Sequence, residues 1–443
     1  MGKRYKSGSS STHVEIVTWS VQKSTKVVDL FLGRSAFPAV AEAAATEVLA
    51  AVREQGDAAV LAAAKTFDGA VLKASELRVT DAELRAAAKA VPTQTKRAVQ
   101  EAHDRVLIFA KAGLREPWYI QTPEGGYTGE FYSPMERVGI YVPGGTAPLV
   151  STAIMTATLA KAAGVKEIVA CTPCGKDTCV NPVLLYALKL AGATEIYRVG
   201  GIQAIGMMAF GTKTVKAVQK IAGPGNAYVT AAKRQVYGHV AIDQVAGPSE
   251  IAVLADASAH PAWVAADLLS QAEHGSGHEK ALLVTDSAGL AQAVCDELTW
   301  QLAKLPRAAI IERVMEAGGI LLVVVPDLKQ GMELINRFAP EHLEIMVKHA
   351  RDWVNEVRAA GAVFVGEWTP ESAGDFIAGP SHVLPTGGAA RMFNGLTADD
   401  FRRRHSFVEF TREDLARTCK TIETFSEVEG LAAHGCAATL RFS

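Results

Sequence analysis

The chain has 443 residues, 49% of them hydrophobic, with 45 Lys and Arg against 47 Asp and Glu for a formal net charge of −2. That length holds two to four domains at the usual roughly 100–200 residues each, and a near-neutral balance excludes a general nucleic-acid binder. Charged residues at 21% among abundant apolar ones exclude wholesale disorder, and no apolar run reaches the ~18 residues of a membrane-spanning helix.

Residues 1–12, MGKRYKSGSSST, are basic and Ser-rich with no apolar core or cleavage site. They read as a disordered, tag-like terminus without a targeting signal, so a cytoplasmic protein is expected. From Phe37 to Lys111 the text is Ala-rich, as in AVAEAAATEVLAAVREQ and DAELRAAAKAV. Apolar residues recur there three and four apart, which predicts amphipathic helices packed on a larger body. Near Arg137 the texture changes to a short β-branched strand, VGIYVP, closed by Pro143-Gly144-Gly145. Strands KEIVAC, EIYRVGG and VQKIAGPGN follow, alternating with helices such as STAIMTATLAKAAG and NPVLLYALKLAGA. A second series starts at Ser249 with SEIAVLAD, KALLVTD, GILLVVV and GAVFVG. Such alternation predicts βαβ units and parallel sheets. Beyond about Arg391 the pattern reads as helical and charged, in DDFRRRHSFVEF and REDLARTCKTIETFSEVEGLAAHG. The expected class is α/β, with two Rossmann-like parallel-sheet units, N-terminal helices and a small helical C-terminal segment. No internal repeat is legible, although the two series invite a structural relationship.

Several clusters carry candidate chemistry. Six cysteines are too sparse for a disulfide scaffold, and Cys171, Cys174 and Cys179 lack a fourth ligand for a zinc site. The dinucleotide fingerprint G-x-G-x-x-G is absent. In its place three Gly-rich turns, at Gly144-Gly145, Gly200-Gly201 and Gly223-Pro224-Gly225-Asn226, are expected at the C-terminal ends of strands of one sheet, where open α/β sheets bind ligands. Gln271 and His274 in QAEHG are three apart, so on a helix they share a face. They could offer two ligands to zinc or manganese, or His274 could merely cap the helix. In APEHLE, Glu341 and His342 follow Pro340 and reach one cleft together only at a loop-to-strand junction. There a carboxylate and an imidazole could activate water and move protons. Asp375 and His382 lie in a turn-rich stretch, and Glu429 and His434 share a face only if a helix breaks between them at Gly430.

Taken together, YVPGG, GGIQAI, AGPGN, AGPSE, LLSQAEHG, APEHL, PESAGD, SHVLPT and the late AAH resemble the histidinol dehydrogenases, in order from about Val14 to Phe442. The resemblance implies oxidation of L-histidinol to L-histidine in two NAD⁺-dependent steps through an enzyme-bound aldehyde, the last steps of histidine biosynthesis. It also implies one zinc ion per subunit and an intertwined homodimer. Carried over by motif, the zinc ligands are Gln271, His274, Asp375 and His434, the last supplied by the partner subunit. Glu341 and His342 become the catalytic acid/base pair. Ser249, Gln271, His274, His342, Asp375, His382, Glu429 and His434 contact substrate, and Tyr141, Gln203 and Asn226 contact the cofactor. On this reading residues 13–140 with 240–390 form the first Rossmann-like unit, 141–239 the second on the NAD side, and 391–443 a helical segment packed on the partner. Ile202 and Gly206 depart mildly from the family pattern, as does the basic loop HGSGHEK. A paralogue acting on another small alcohol, such as sulfopropanediol, is the alternative, and His382 and Glu429 argue against it.

Overall fold

In the computed structural model, residues 14–33, 38–144 and 148–443 are described; the expectations for residues 1–12 and for Gly145 fall outside them. Two parallel sheets organise the chain. The five-stranded sheet places Glu195–Tyr197, Glu167–Cys171, Arg137–Tyr141, Lys220–Ala222 and Ala241–Ile242 side by side. The six-stranded sheet runs Glu15–Thr18, Ile320–Val324, Lys280–Thr285, Glu250–Ala255, His342–Met346, Ala362–Val365. Numbered from its own first strand, each series follows the order 3-2-1-4-5, the core of the doubly wound fold. Glu15–Thr18 adds an N-terminal edge strand to the second sheet. The relationship between the two series is therefore topological, carried by strand order and not by repeated sequence.

Central strands such as Arg137–Tyr141, Glu250–Ala255 and His342–Met346 are buried along their whole length. They read as continuous apolar runs because helices cover both sheet faces. The Ala-rich helices Ala39–Gln55 and Thr93–Ala112 pack on helices that cover the five-stranded sheet, through Leu49 and Val52 on one side and Val99 and Val106 on the other. The expected grouping of residues 13–140 with the six-stranded sheet is corrected accordingly. Among the described residues of that range, Glu15–Thr18 and the helix Lys26–Leu32 join that sheet, where Trp19, Val28 and Phe31 enter its core. The five-stranded sheet spans Arg137 to Ile242, a few residues beyond 141–239 at either end.

The C-terminal segment is not wholly helical. Arg402–Glu409, within DDFRRRHSFVEF, is a strand paired antiparallel with Tyr127–Pro134, which in turn pairs with Trp118–Gln121. Its exposed or half-exposed, Arg-rich residues give no apolar alternation, and backbone pairing decides its conformation. The helices Arg412–Val428 and Ala432–Thr439 follow, packed on each other. Gly430 has φ +70° between them, the helix break expected between Glu429 and His434. Among the described residues no helix is long and apolar enough to cross a membrane.

Candidate active site

The Pro224–Gly225 turn, after the strand Lys220–Ala222 of the five-stranded sheet, faces Ser249 and Glu341, which immediately precede the strands Glu250–Ala255 and His342–Met346 of the six-stranded one. A cavity of about 180 Å³ lies between them, lined by Pro224, Gly225, Ser249, His274, Glu341 and His382 among others.

Glu341 and His342 occupy the junction that their sequence demanded. The helix Leu328–Phe338 ends on Ala339, whose φ of 53° is left-handed, and Pro340 blocks continuation. His342 is then the first residue of its strand, and its Nδ1 lies 3.9 Å from Glu341 Oε2. Both side chains are almost completely buried. His342 Nδ1 faces two oxygen acceptors, the Glu250 carbonyl at 3.2 Å and Gln271 Oε1 at 3.0 Å. That assigns the ring proton to Nδ1 and leaves Nε2 with its lone pair. Nε2 is buried without a hydrogen-bond partner among the described residues, 4.0 Å from Asp375 Oδ1. Burial pushes the His342 pKa down to about 4, so the ring is neutral near pH 7. For Glu341, burial raises the carboxyl well above the usual range, and the nearby Asp375, Glu250 and Glu371 carboxylates push the same way. The Glu250 N–H donated to Glu341 Oε2 at 3.1 Å opposes that rise.

Gln271 lies in the last turn of the helix Pro261–Ala272, and His274 follows just past its cap, Glu273. Their side chains meet, with His274 Nδ1 3.3 Å from Gln271 Nε2. His274, Asp375 and Glu371 offer ligand atoms within 4.8 Å of one another. An imidazole nitrogen, an amide and carboxyl oxygens form a donor set suited to zinc or manganese. Asp375 lies on the short helix Glu371–Phe376, and its carboxylate is 3.7 Å from His382 Nδ1. His382 Nε2 is 3.2 Å from Thr152 Oγ1, a contact from a helix of the five-stranded half. Burial lowers the His382 pKa.

Four acidic residues escaped the sequence reading. Glu250 offers its carbonyl to His342, and its carboxylate accepts the Gly387 N–H at 3.1 Å. Glu371 accepts from Ser270 Oγ at 2.7 Å and lies 3.6 Å from His342 Nδ1, and burial pushes its carboxyl to about 8. Beneath it, Glu344 accepts the Glu371 N–H at 2.7 Å and pairs with Asp267, whose carboxyl burial pushes to about 6. Glu344 shares a strand face with His342, two residues away; that period was the available signal, hidden because a buried acid is not an expected strand residue.

On the other side, Tyr141 and Gln203 lie beneath the Gly200–Gly201 turn. Tyr141 Oη accepts the Gly201 N–H at 3.1 Å, and Gln203 Nε2 donates to Asp68 at 3.3 Å. Asn226 caps the helix Ala227–Val236, accepting from Tyr228 and Val229 at 3.1 Å each. Gly223 (φ +124°) must be glycine, since a Cβ there would meet the Tyr141 carbonyl oxygen at 2.1 Å. Helix N-termini at both turns suit an anionic pyrophosphate. Gly206 is buried against Leu49 and Val52, so this departure lies in helix packing and away from the turns. Glu429 and His434 are exposed on the C-terminal helices, and neither joins the cluster of its own chain.

A two-sheet α/β fold with a buried histidine and carboxylate at one cleft has the groups that enzymes use to move protons. Comparison with known proteins makes this particular. The chain matches the histidinol dehydrogenase family over residues 34–442. A histidinol dehydrogenase from a Synechococcus species is 44% identical over 400 residues, 90% of this chain and 92% of that protein. One from Carboxydothermus hydrogenoformans is 41% identical over 419 residues, covering 94% and 98%. The crystal structure of histidinol dehydrogenase from Elizabethkingia anophelis superposes with a TM-score of 0.91 at 35% identity, covering 97% of both chains. The chain belongs to the histidinol dehydrogenase family, and is an oxidoreductase.

Proposed function

We propose that the protein oxidises L-histidinol to L-histidine in two NAD⁺-dependent steps through L-histidinaldehyde, as a zinc-requiring homodimer. The observation that carries this reading is the buried His342 ring, its Nδ1 engaged by two oxygens and its Nε2 lone pair open beside Asp375. Nε2 is placed to take the alcohol proton, and NAD⁺, when bound, would supply the hydride acceptor that turns the alcohol into the aldehyde. Glu341, buried next to His342 in the chain and on the cavity wall, then takes a proton from water as the water attacks the aldehyde carbon. Going from the hydrate to the carboxylate releases one hydride, which a second NAD⁺ would accept, and two protons. Zinc held by Gln271, His274, Asp375 and His434 of the partner subunit would fix the substrate's imidazole and amino nitrogens and orient them. Ser249 and His382 line the same cavity and read the substrate. Tyr141, Gln203 and Asn226 shape and flank the turns that receive the cofactor.

Support for the dimer comes from the apolar side chains left uncovered on the three-stranded sheet and C-terminal helices. Tyr119, Ile120, Val408, Phe425 and Val428 are all at least 51% exposed, and Ile120 and Val408 flank Thr128 in one row across the sheet, apolar exposure of the kind an interface covers. Glu429 and His434 travel on that arm, so they complete a partner's site. Addition of L-histidinol and NAD⁺ to the purified protein should yield two NADH per histidinol. One NADH per alcohol, or turnover only with a different alcohol, would overturn the proposal.

A further inference from the structure

Gln244 lines the cavity beside Gly225 and Ser249, is 5% exposed, and has no role in the mechanism above. Its Nε2 donates to the Leu384 carbonyl at 2.5 Å, which fixes the amide and turns Oε1 away. Oε1 is buried and without a hydrogen-bond partner among the described residues. A buried acceptor left unpaired is costly, and its persistence on a cavity wall points to an occupant carrying a donor.

The residue is also anchored. Gln244 N–H donates to Asp243 Oδ1 at 2.7 Å, and Asp243 Oδ2 accepts the Gly223 N–H at 2.8 Å. Asp243 forms an ion pair with the buried Lys233, whose Nζ donates to the Gly223 carbonyl at 2.8 Å. One ion pair thus ties Gln244 to the turn that leads into Asn226. A cation in the cavity would already find Glu341 and Glu279 among its walls. A neutral amide oxygen beside Gly225 matches a neutral N–H donor instead.

We propose that Gln244 is a cofactor-binding residue whose Oε1 accepts an N–H of the nicotinamide carboxamide. This rests on the NAD⁺ reading above. The test compares NAD⁺ with 3-acetylpyridine adenine dinucleotide, whose acetyl group has no N–H, in wild type, Gln244→Met and Gln244→Leu. The wild-type preference in kcat/KM should fall about tenfold or more in either variant, through a higher KM for NAD⁺, with KM for L-histidinol and zinc content unchanged. An unchanged preference in a folded variant overturns the proposal. So does a shift in the histidinol KM at constant preference, which would assign Oε1 to the substrate's amine. Calorimetric titration of both dinucleotides reads the same contrast without turnover. A contrast that persists where histidinol is not oxidised supports Gln244 and counts against the functional reading alone.

Discussion

The Nδ1 of His342 lies 3.0 Å from the side-chain oxygen of Gln271, joining the start of a strand to the last turn of a helix. The same Gln271 touches His274, so the residue proposed to move protons and the residues proposed to hold metal share one hydrogen-bonded unit. Their roles should still separate by substitution. His342→Gln is expected to lower kcat about 10²–10⁴-fold while zinc content by elemental analysis stays at the wild-type level. Near-wild-type turnover would contradict the proton-transfer role.

Metal removal gives the complementary result. Exhaustive chelation should abolish activity and added zinc should restore it, and His274→Asn should fail to retain metal through gel filtration. Activity undiminished in a protein shown to be metal-free would remove the zinc assignment.

Aldehyde oxidation can also proceed through a cysteine adduct, and Cys174 lies next to Pro173 of the turn facing Gly144 and Gly200. Its thiol is 5% exposed, donates to the Arg198 carbonyl, and is pushed up by burial, away from the thiolate form that attacks carbonyls. Cys174→Ala should therefore keep kcat within about twofold; burial of a small thiol is a packing role. A variant that stalls at the aldehyde would restore the covalent route.

If the C-terminal arm completes a partner's site, two inactive variants should rescue each other. Co-expressed His342→Gln and His434→Asn chains form mixed dimers in which one of the two sites has an intact body and an intact arm. Measurable activity from the mixture, absent from either variant alone, is the expected outcome. Silence in mixed dimers verified by mass spectrometry would show the arm to be serving its own chain.

Stability at acid pH should depend on the five-stranded sheet. Arg137 binds Glu195 and Glu167 across the starts of adjacent strands, with Arg137 Nη1 2.8 Å from Glu195 Oε1. Hydrogen bonding to Arg137 pulls the Glu195 pKa from 4.5 down to about 2, against the effect of burial. A folded pKa below the unfolded one means that this stabilisation is full above about pH 4.5 and lost as pH falls toward 2. It amounts to roughly 2–3 kcal/mol. Glu195→Gln should lower the urea midpoint at pH 7 and flatten the loss of stability between pH 5 and 3; a wild-type acid profile would refute the assignment.

Much of this site was legible in the residues. Glu341 and His342 could be placed at a junction because Pro340 stops a helix, and Gly430 announced the break between Glu429 and His434. The parallel strands were legible because burial on both faces makes them continuous apolar runs. Arg402–Glu409 was not, since its conformation comes from pairing with Tyr127–Pro134 and leaves no side-chain period. Gln244 and Glu371 were hidden for a different reason. Their meaning lies in an oxygen left without a partner, a property of three-dimensional surroundings that no spacing records.

The pairing of Arg402–Glu409 with Tyr127–Pro134 has one more consequence. Asp414, in the first turn of the next helix, accepts the Gly126 N–H at 3.1 Å, and a Cβ on Gly126 would collide with it. The arm is consequently a strut and not a tether, its direction set by hydrogen bonds near its root. On the dimer reading, a small error of angle at Gly126 would be magnified along the helices into a displacement at His434. The fidelity of one subunit's chemistry would then be a matter of its neighbour's mechanical alignment, and Gly126, far from any reacting atom, would be among the least replaceable residues in the chain.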